Sequence, residues 1–396
     1  MKLRHNIGRT WLAAIFGFVL PLGVAHAQEI PTQLLKNTEV KQLRGIDIAA
    51  EPIIGQVRSD NAGNIYLRMT SPQDTNPLAA PVRRFTQEGK WLPELSLGQK
   101  EEFKNKAYQI SDFQTSNAGN TFVLVNSSEK SENWENGRQG KYTGPVPIDW
   151  SVVEFDENGK PENVTKLDTP ADFHPGQLGV FPDGKFLVGG HRVVRGPGNV
   201  PQKGVEPEVY IASFNQDGHL IAEFHPTPPP AKETAPETHD AEKTAETSKQ
   251  EKQNSAKESW SGKGFMPEDM VVGQDGNAYF FHKSAIPVIY VLSENGEFVR
   301  QFFVVLPSPN ARPWQIRSLP GLKLLVSFIE DVGEDSSAGQ IDYFDMIDSQ
   351  SGETISRYKL LPRDGGIFAC FSEPYDFVFL GGDPQGFTTI VHASPK

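Results

Sequence analysis

Cysteine is almost absent from this chain of 396 residues, in which Cys370 is the only one. One thiol cannot form an internal disulfide, and metal sites built from several cysteines are excluded as well. We therefore expect Cys370 to pack as a small apolar side chain. The fold must depend on an ordinary hydrophobic core, which a chain of this length can build.

Positive charge is scarce too, since 38 lysines and arginines stand against 50 aspartates and glutamates and give a net charge of -12. An acidic chain repels phosphate backbones, which argues against a nucleic-acid partner. The sequence also lacks a serine elbow, a phosphate-binding glycine loop and a cysteine–histidine nucleophile arrangement. No catalytic motif therefore identifies a reaction.

The N-terminus has the composition of a secretory signal peptide. Residues 1–10 carry three lysines or arginines and no acid, and an apolar run over 11–25 ends in Ala25-His26-Ala27. This pattern predicts cleavage after Ala27. A membrane anchor is the alternative, but the run contains glycine and proline and is shorter than the about 20 apolar residues that a span needs. We expect residues 28–396 to be one secreted or periplasmic domain without a membrane span.

Helical periodicity is also lacking after residue 28, whereas two short patterns with glycine recur. In the first, a turn ending in glycine leads into an apolar strand, at 60–67, 116–125, 181–190, 273–282 and, more weakly, 319–328. In the second, two strands flank an acidic or amide turn with glycine, at 85–97, 155–167, 214–224, 292–304 and 347–360. Asn, Asp or Glu beside Gly favours tight hairpins, so each pattern predicts a β-hairpin.

The two hairpin types alternate, so each successive pair predicts one four-stranded antiparallel unit. Five units begin near Pro52, Tyr108, His174, Met266 and Arg312. A sixth begins near Phe368 but is one strand short, and residues 38–46 have strand character without a hairpin partner. We predict an all-β, six-bladed β-propeller in which this N-terminal strand completes the last blade, because closing the ring protects the sheet edges.

One segment, 227–264, interrupts the spacing between the third and fourth units. It is rich in Pro, Glu and Lys and has almost no large apolar side chain, so it cannot bury enough surface to fold. We predict a disordered insertion, with a transient exposed helix over 240–257 as an alternative. It could be a docking arm or simply a tolerated loop insertion.

The strands GNIYL at 63–67 and GNAYF at 276–280 resemble those of the NHL-repeat superfamily of six-bladed propellers. The resemblance covers nearly all of the chain after residue 28 outside the insertion, and it specifies a fold rather than an activity. It implies a range of functions, because members include peptidyl-hydroxyglycine lyases, calcium-dependent lactonases, receptor modules and secreted proteins without assigned roles.

In a propeller, the first strand of each unit lines the central channel. Four units begin at a residue followed by proline, namely Glu51, His174, Met266 and Arg312, and Trp314 follows shortly after the last of them. We predict that these five residues surround one rim of the channel and form a ligand-binding site. Their charges could hold a small anion or a weakly bound cation.

Two metal sites can be considered. His174, His191 and His282 lie at strand ends and could bind zinc, although a histidine at such a place is more often an ordinary hydrogen-bonded residue. Glu268 and Asp269, with Asp112 from another unit, could bind calcium, although paired acids in loops are usually solvated. Either metal is a candidate cofactor.

The polar stretch 126–149 carries Trp134 and Tyr142 among glycines and asparagines, and could recognise carbohydrate or peptide, or only pack onto the propeller. The sequence thus favours a binding or scaffold module for a small molecule, a glycan or an envelope protein. The alternative is a metal-dependent lyase or a lactonase-type hydrolase that uses His174, Glu51 and Arg312 at the rim. The oligomeric state is left open.

Overall fold

The structure is a computed structural model. It describes residues 30–396 apart from 47–50, 52, 71–76, 105, 117–118, 130–147, 194–207, 225–269, 285, 333–338, 363–365, 373 and 383–386. The predicted signal peptide (1–27), the predicted insertion (227–264) and most of the polar stretch at 126–149 lie outside the described residues. None of the helices in the described part combines the length and the apolar character that crossing a membrane requires.

Twenty-four strands make up most of the described chain. The first strand, β1 (Thr32–Gln42), precedes groups of four, four, four, four, four and three strands. The first two groups are β2 (Ile53–Ser59), β3 (Ile65–Met69), β4 (Val82–Phe85), β5 (Trp91–Leu95), and β6 (Lys106–Thr115), β7 (Thr121–Glu129), β8 (Asp149–Phe155), β9 (Pro161–Lys166). The next two are β10 (Phe173–Val180), β11 (Phe186–Arg192), β12 (Glu208–Phe214), β13 (Leu220–Phe224), and β14 (Met270–Val272), β15 (Ala278–His282), β16 (Val288–Leu292), β17 (Phe298–Phe303).

The last two groups are β18 (Arg312–Leu319), β19 (Lys323–Asp331), β20 (Gln340–Asp348), β21 (Thr354–Leu360), and β22 (Ile367–Ser372), β23 (Asp376–Gly382), β24 (Thr388–Pro395). Helix is confined, in the described residues, to α1 (Glu101–Lys104) and two 3-10 turns at Pro77–Ala79 and Leu97–Gln99. The groups begin close to the positions that the glycine hairpins predicted. The prediction of an all-β, propeller-like fold is confirmed.

The strands form five sheets rather than the six separate sheets that were expected. The first four groups each make a four-stranded antiparallel sheet in chain order, but the fifth sheet has eight strands, in the order β18-β19-β20-β21-β1-β24-β23-β22. The reason is β1, which pairs antiparallel with β24 from Leu35 to Gln42 and parallel with β21 at residues 32–34. One strand thereby merges the last two groups into a single hydrogen-bonded sheet.

The hydrophobic core lies between successive strand groups. Six clusters of buried side chains fill the spaces between neighbouring groups of the described chain. One of them packs Ile65 and Phe85 of the first group against Val378 and Ile390 of the last. The first and last groups are therefore packing neighbours, as a propeller-like arrangement requires.

Arginine side chains add hydrogen bonds between neighbouring groups. Arg68 Nη1 donates to the carbonyl of Ile110 at 2.7 Å, and Arg300 Nη2 donates to the carbonyl of Ser349 at 2.7 Å. Arg84 is only 1% exposed and donates to the carbonyl of Glu157 at 3.0 Å. A guanidinium presents five N–H donors, so it can satisfy several main-chain carbonyls where two sheets pack against each other.

The turn glycine Gly218 has two separate constraints. Its φ is +87°, and a Cβ placed there would overlap the carbonyl of Lys166 in the preceding sheet. Gly276, in the turn between the first two strands of the next sheet, also has a positive φ of +76°, but a Cβ there would meet nothing within 4 Å. The close approach of two sheets, as well as the turn itself, therefore requires glycine at 218.

We expect Gly218→Ala to lower the free energy of unfolding by about 2–5 kcal/mol, because left-handed backbone strain and overpacking add together. Gly276→Ala, the matched control, should cost about 1–2 kcal/mol from backbone strain alone. Urea unfolding of both variants measures the difference. Equal losses would show that the contact with Lys166 does not constrain the turn.

Candidate functional site

The first strands of the six groups lie side by side around a central axis. Neighbouring contacts link β22 to β2, β2 to β6, β6 to β10, β10 to β14 and β14 to β18. Arg317 on β18 then donates from Nη1 to the carbonyl of Ala369 on β22 at 2.8 Å. We call these six first strands the inner strands. They surround the axis, and side chains on them border the space there.

Two adjoining cavities, of about 370 and 340 Å³, open where the inner strands end. They share Ser59, Asn61, Gln114, Thr115, Ser318, Leu319 and Pro320 in their linings. We call the two together the channel mouth. Each inner strand contributes at least one side chain to it, represented in chain order by Arg58, Thr115, Val180, Val272, Arg317 and Cys370.

Asp112 joins three inner strands next to the channel mouth. Its carboxylate accepts hydrogen bonds from Arg58 Nη2 at 3.1 and 3.0 Å and from the main-chain N–H of Leu178 at 2.9 Å. Asp112 is 8% exposed, so its charge is balanced mainly by these donors. Sequence reasoning considered this residue as a calcium ligand, but both of its oxygens accept hydrogen bonds from the protein itself.

Arg317 carries the other guanidinium of the channel mouth. Besides its bond to Ala369, it donates from Nη2 to the carbonyl of Phe368 at 3.1 Å and from Nε to Gln315 Oε1 at 3.2 Å. All of these acceptors are neutral. Burial, and secondly repulsion from Arg58, lower the pKa of Arg317 to about 9, so the side chain stays charged at neutral pH.

Cys370 supplies an apolar part of the same lining. It is buried, as expected from the sequence, and Gln87 Nε2 lies 3.4 Å from its sulfur. Burial raises the pKa of its thiol to about 12. The thiol is therefore neutral and a poor nucleophile at physiological pH.

A further cavity of about 520 Å³ lies toward the starts of β18 and β22. Arg317 lines it as well and so stands between this space and the channel mouth. Trp314, about half exposed, also lines the cavity, and Lys283 Nζ lies 5.8 Å from the centre of its ring. Asp342 is the acidic member of the lining.

The residues predicted to form the channel rim are not brought into one cavity. Trp314 lines the 520 Å³ cavity, whereas Glu51 lines a separate depression and pairs with Arg83 at 2.9 Å. Arg312 is exposed and lies 3.4 Å from Asp331. His174 lies on β10, and Met266 falls outside the described residues. A ligand site made of these residues stays a prediction.

The three histidines considered for zinc occupy two sheets. His174 and His191 are opposite each other on β10 and β11, while His282 ends β15 and is buried, which lowers the pKa of its imidazole. Within the described ranges, no group of three or more His, Cys, Asp or Glu side chains is arranged to hold a metal ion. Glu268 and Asp269 lie outside those ranges, and the metal sites stay predictions.

Sequence reasoning missed Arg58 and Arg317, because it searched the start of each inner strand rather than its end. A signal was present: each arginine has only apolar or neutral residues on either side and stands a few residues before a turn glycine, Gly63 or Gly321. In a closed array of such strands, equivalent positions converge on the axis.

The comparisons with known proteins concern the fold alone. No protein-family model and no curated protein matches the chain. A protein of unknown function from Dyadobacter fermentans DSM 18053 aligns over 91% of this chain and 99% of its own, with 9% identity and a TM-score of 0.50.

Two further solved structures align over most of the chain. A luciferin-regenerating enzyme aligns over 90% of this chain and 95% of its own, with 8% identity and a TM-score of 0.44. The Dos1 propeller aligns over 91% and 95%, with 10% identity and a TM-score of 0.38. Identities this low transfer no activity.

Asp342 should make the free energy of unfolding depend on pH. Burial raises the pKa of its carboxyl from 3.8 to about 6, although a hydrogen bond from Gln340 opposes the shift. Between these two values the folded state binds the proton more tightly than the unfolded state, so Asp342 makes stability fall as pH rises through this window. Above about pH 6 the full cost of burying the charge is present.

Asp342→Asn should therefore raise the free energy of unfolding by about 1–3 kcal/mol at pH 8 and leave it nearly unchanged near pH 3. Urea unfolding at the two pH values measures the gain. Asp331→Asn, at an exposed ion pair, is the control and should change stability by less than about 1 kcal/mol at either pH. A gain for Asp342→Asn that is the same at both pH values would contradict the assignment.

Proposed function

We propose that this chain is a binding module whose ligand site is the channel mouth. The single observation that carries the proposal is that all six inner strands contribute to one polar depression at the axis. A site assembled from six separate strand groups is held by the whole fold, which keeps its geometry fixed for recognition. In this proposal the chain is a secreted or periplasmic protein after loss of residues 1–27.

We further propose that the fold is a six-bladed propeller of the NHL-repeat type. On this interpretation the eight-stranded sheet is two blades connected through β1, and β1 is the outer strand of the last blade. The support is that β1 pairs with β24 over most of its length, while its pairing with β21 is limited to residues 32–34. The packing of the first group against the last supports the same interpretation.

The shape and chemistry of the channel mouth suit a small polar ligand. Its two cavities, of about 370 and 340 Å³, fall in the size range of small-molecule sites. Hydroxyl groups of Ser59, Thr115 and Ser318 offer hydrogen bonds beside the apolar surface of Val272. The inner strands supply much of the lining and the turns that follow them supply the rest, so the strands hold the site with little need for backbone reorganisation.

Filling the channel mouth tests this proposal. We expect thermal-shift screening with a panel of sugars, amino acids and small organic acids to find compounds that raise the melting temperature of the wild type. A compound at 100 times its Kd contributes about 2.7 kcal/mol to stability, which is a shift of several degrees. Ser318→Trp should abolish the shift because the indole occupies the shared space between the two cavities.

Gln301→Trp adds the same side chain to the exposed outer strand β17 and should leave every shift intact. If the melting-temperature shifts persist in Ser318→Trp, the compounds bind elsewhere and the proposal is overturned. It is also overturned if no compound in the panel stabilises the wild type. Stabilisation by zinc or calcium that Ser318→Trp does not alter would instead favour the metal-dependent lyase or hydrolase.

A further inference from the structure

We propose that the channel mouth binds a small oxyanion, a carboxylate or phosphate group held between the guanidinium groups of Arg58 and Arg317. This inference rests on the proposed function and specifies its ligand class. Carboxylate and phosphate groups both carry negatively charged oxygens, and a guanidinium can bind two such oxygens in a bidentate arrangement.

The two guanidinium groups have donors left for a ligand. Both side chains line the 370 Å³ cavity, at the ends of β2 and β18. Arg58 donates from Nη2 to Asp112, and its Nε has no hydrogen-bond partner among the described residues but is buried, so it reaches a ligand only if the side chain shifts. Arg317 donates once from each of its three nitrogens. Since a guanidinium has five N–H groups, two of those of Arg317 remain for a ligand.

The two carboxylates at the channel mouth differ in how their charge is balanced. Asp112, next to the lining, accepts from Arg58 and Leu178, as described above. Asp60, in the lining, accepts from the main-chain N–H and the side-chain amide of Asn64 and from the hydroxyl of Tyr66, each at 2.8 Å. These donors are neutral, so Asp60 keeps its negative charge. Arg317 has only neutral acceptors, so its positive charge is not balanced by a carboxylate in direct contact within the described residues.

Two poorly solvated cations that face one cavity repel each other. Burial of Arg317 and, secondly, repulsion from Arg58 both disfavour the charged form of Arg317. These two causes hold the pKa of Arg317 below its ordinary value. An oxyanion placed between the two groups would reverse this effect, because each charge-assisted hydrogen bond stabilises both partners. The arginines therefore favour an anion in direct contact with them over a neutral molecule of the same size, whereas Asp60 in the same lining opposes an anion.

The second cavity of the channel mouth limits the size and chemistry of the part of the ligand that is attached to the oxyanion. The adjoining 340 Å³ cavity extends from Ser318 and Thr115 to Gln274, and the described residues of its lining include no charged side chain. An oxyanion at the arginines can thus carry a small polar body into this second space. A small organic acid or a phosphorylated small molecule has this combination of groups.

Calorimetric titration of the full chain with succinate and, separately, with inorganic phosphate tests the proposal. We expect at least one of them to bind the wild type, and the one that binds identifies the carboxylate or the phosphate arm. Arg317→Gln should weaken binding by about tenfold or more. Arg192→Gln removes an arginine that pairs with Asp172 away from the channel mouth, and should leave affinity unchanged.

A second pair of variants covers the case in which Arg317→Gln fails to fold. Ser318→Glu adds a carboxylate beside the two arginines, whereas Ser318→Gln adds a side chain of the same shape without charge. We expect Ser318→Glu to bind the anion at least about tenfold more weakly than Ser318→Gln. Binding should also weaken with rising ionic strength.

The proposal is overturned if neither probe binds the wild type, if Ser318→Glu and Ser318→Gln bind alike, or if Arg192→Gln weakens binding as much as Arg317→Gln. These results are distinct from failure of the proposed function. If a neutral compound binds and Ser318→Trp abolishes its binding, while neither succinate nor phosphate binds, the binding module stands and the oxyanion proposal is refuted.

Discussion

The hydrogen bonds of β1 are the constraint on which the rest of the structure depends. This strand comes first in the described chain, yet it pairs with the last strand, β24, and also with β21. Without it, β24 and β21 would each present an open edge, and an open edge invites pairing with other chains. The pairing also holds the last group beside the first, where Cys370 and Val378 pack against Ile65. The channel mouth exists only if these two groups remain adjacent.

Charge in the interior follows from the same arrangement. Sheets that meet around an axis bring main-chain carbonyls of one group to the side chains of another, and arginine satisfies them in several places, as Arg84 and Arg300 do. Each such residue brings a positive charge into the protein. At the axis, Arg58 has a carboxylate partner in Asp112, whereas no carboxylate among the described residues contacts Arg317 directly. The structural role of arginine thus creates the electrostatic character of the proposed site.

Much of the fold could be predicted from the sequence, because its signals are local. Turn glycines such as Gly63 and Gly276 specify hairpins through positive φ, and alternating hairpins specify the strand groups. The N-terminal strand was predicted at 38–46 and lies at Thr32–Gln42. The sequence contained no sign of its parallel pairing with β21, because parallel partners are distant in the chain and have no connecting turn.

The candidate site was less predictable for a related reason. The strand starts marked by proline led to a predicted rim that stays a prediction. In the structure, Glu51 pairs with Arg83 and Arg312 pairs with Asp331. The spacing to a turn glycine marks the end of a strand, but whether that end opens into a cavity depends on how the six groups twist and pack. Arg317 belongs to the proposed site because its main-chain acceptors lie on β22 and because Arg58 lies nearby. Both relations arise from the packing of the groups.

Hydrogen exchange of the β1 amides measures the central constraint most directly. If β1 holds the first and last groups together, its amides paired with β24 exchange only when the whole chain unfolds, at the same opening free energy as the amides of β23. Exchange of β1 that is orders of magnitude faster, while β23 and β24 stay protected, would contradict the account. The channel mouth would then lack the support on which its proposed function depends.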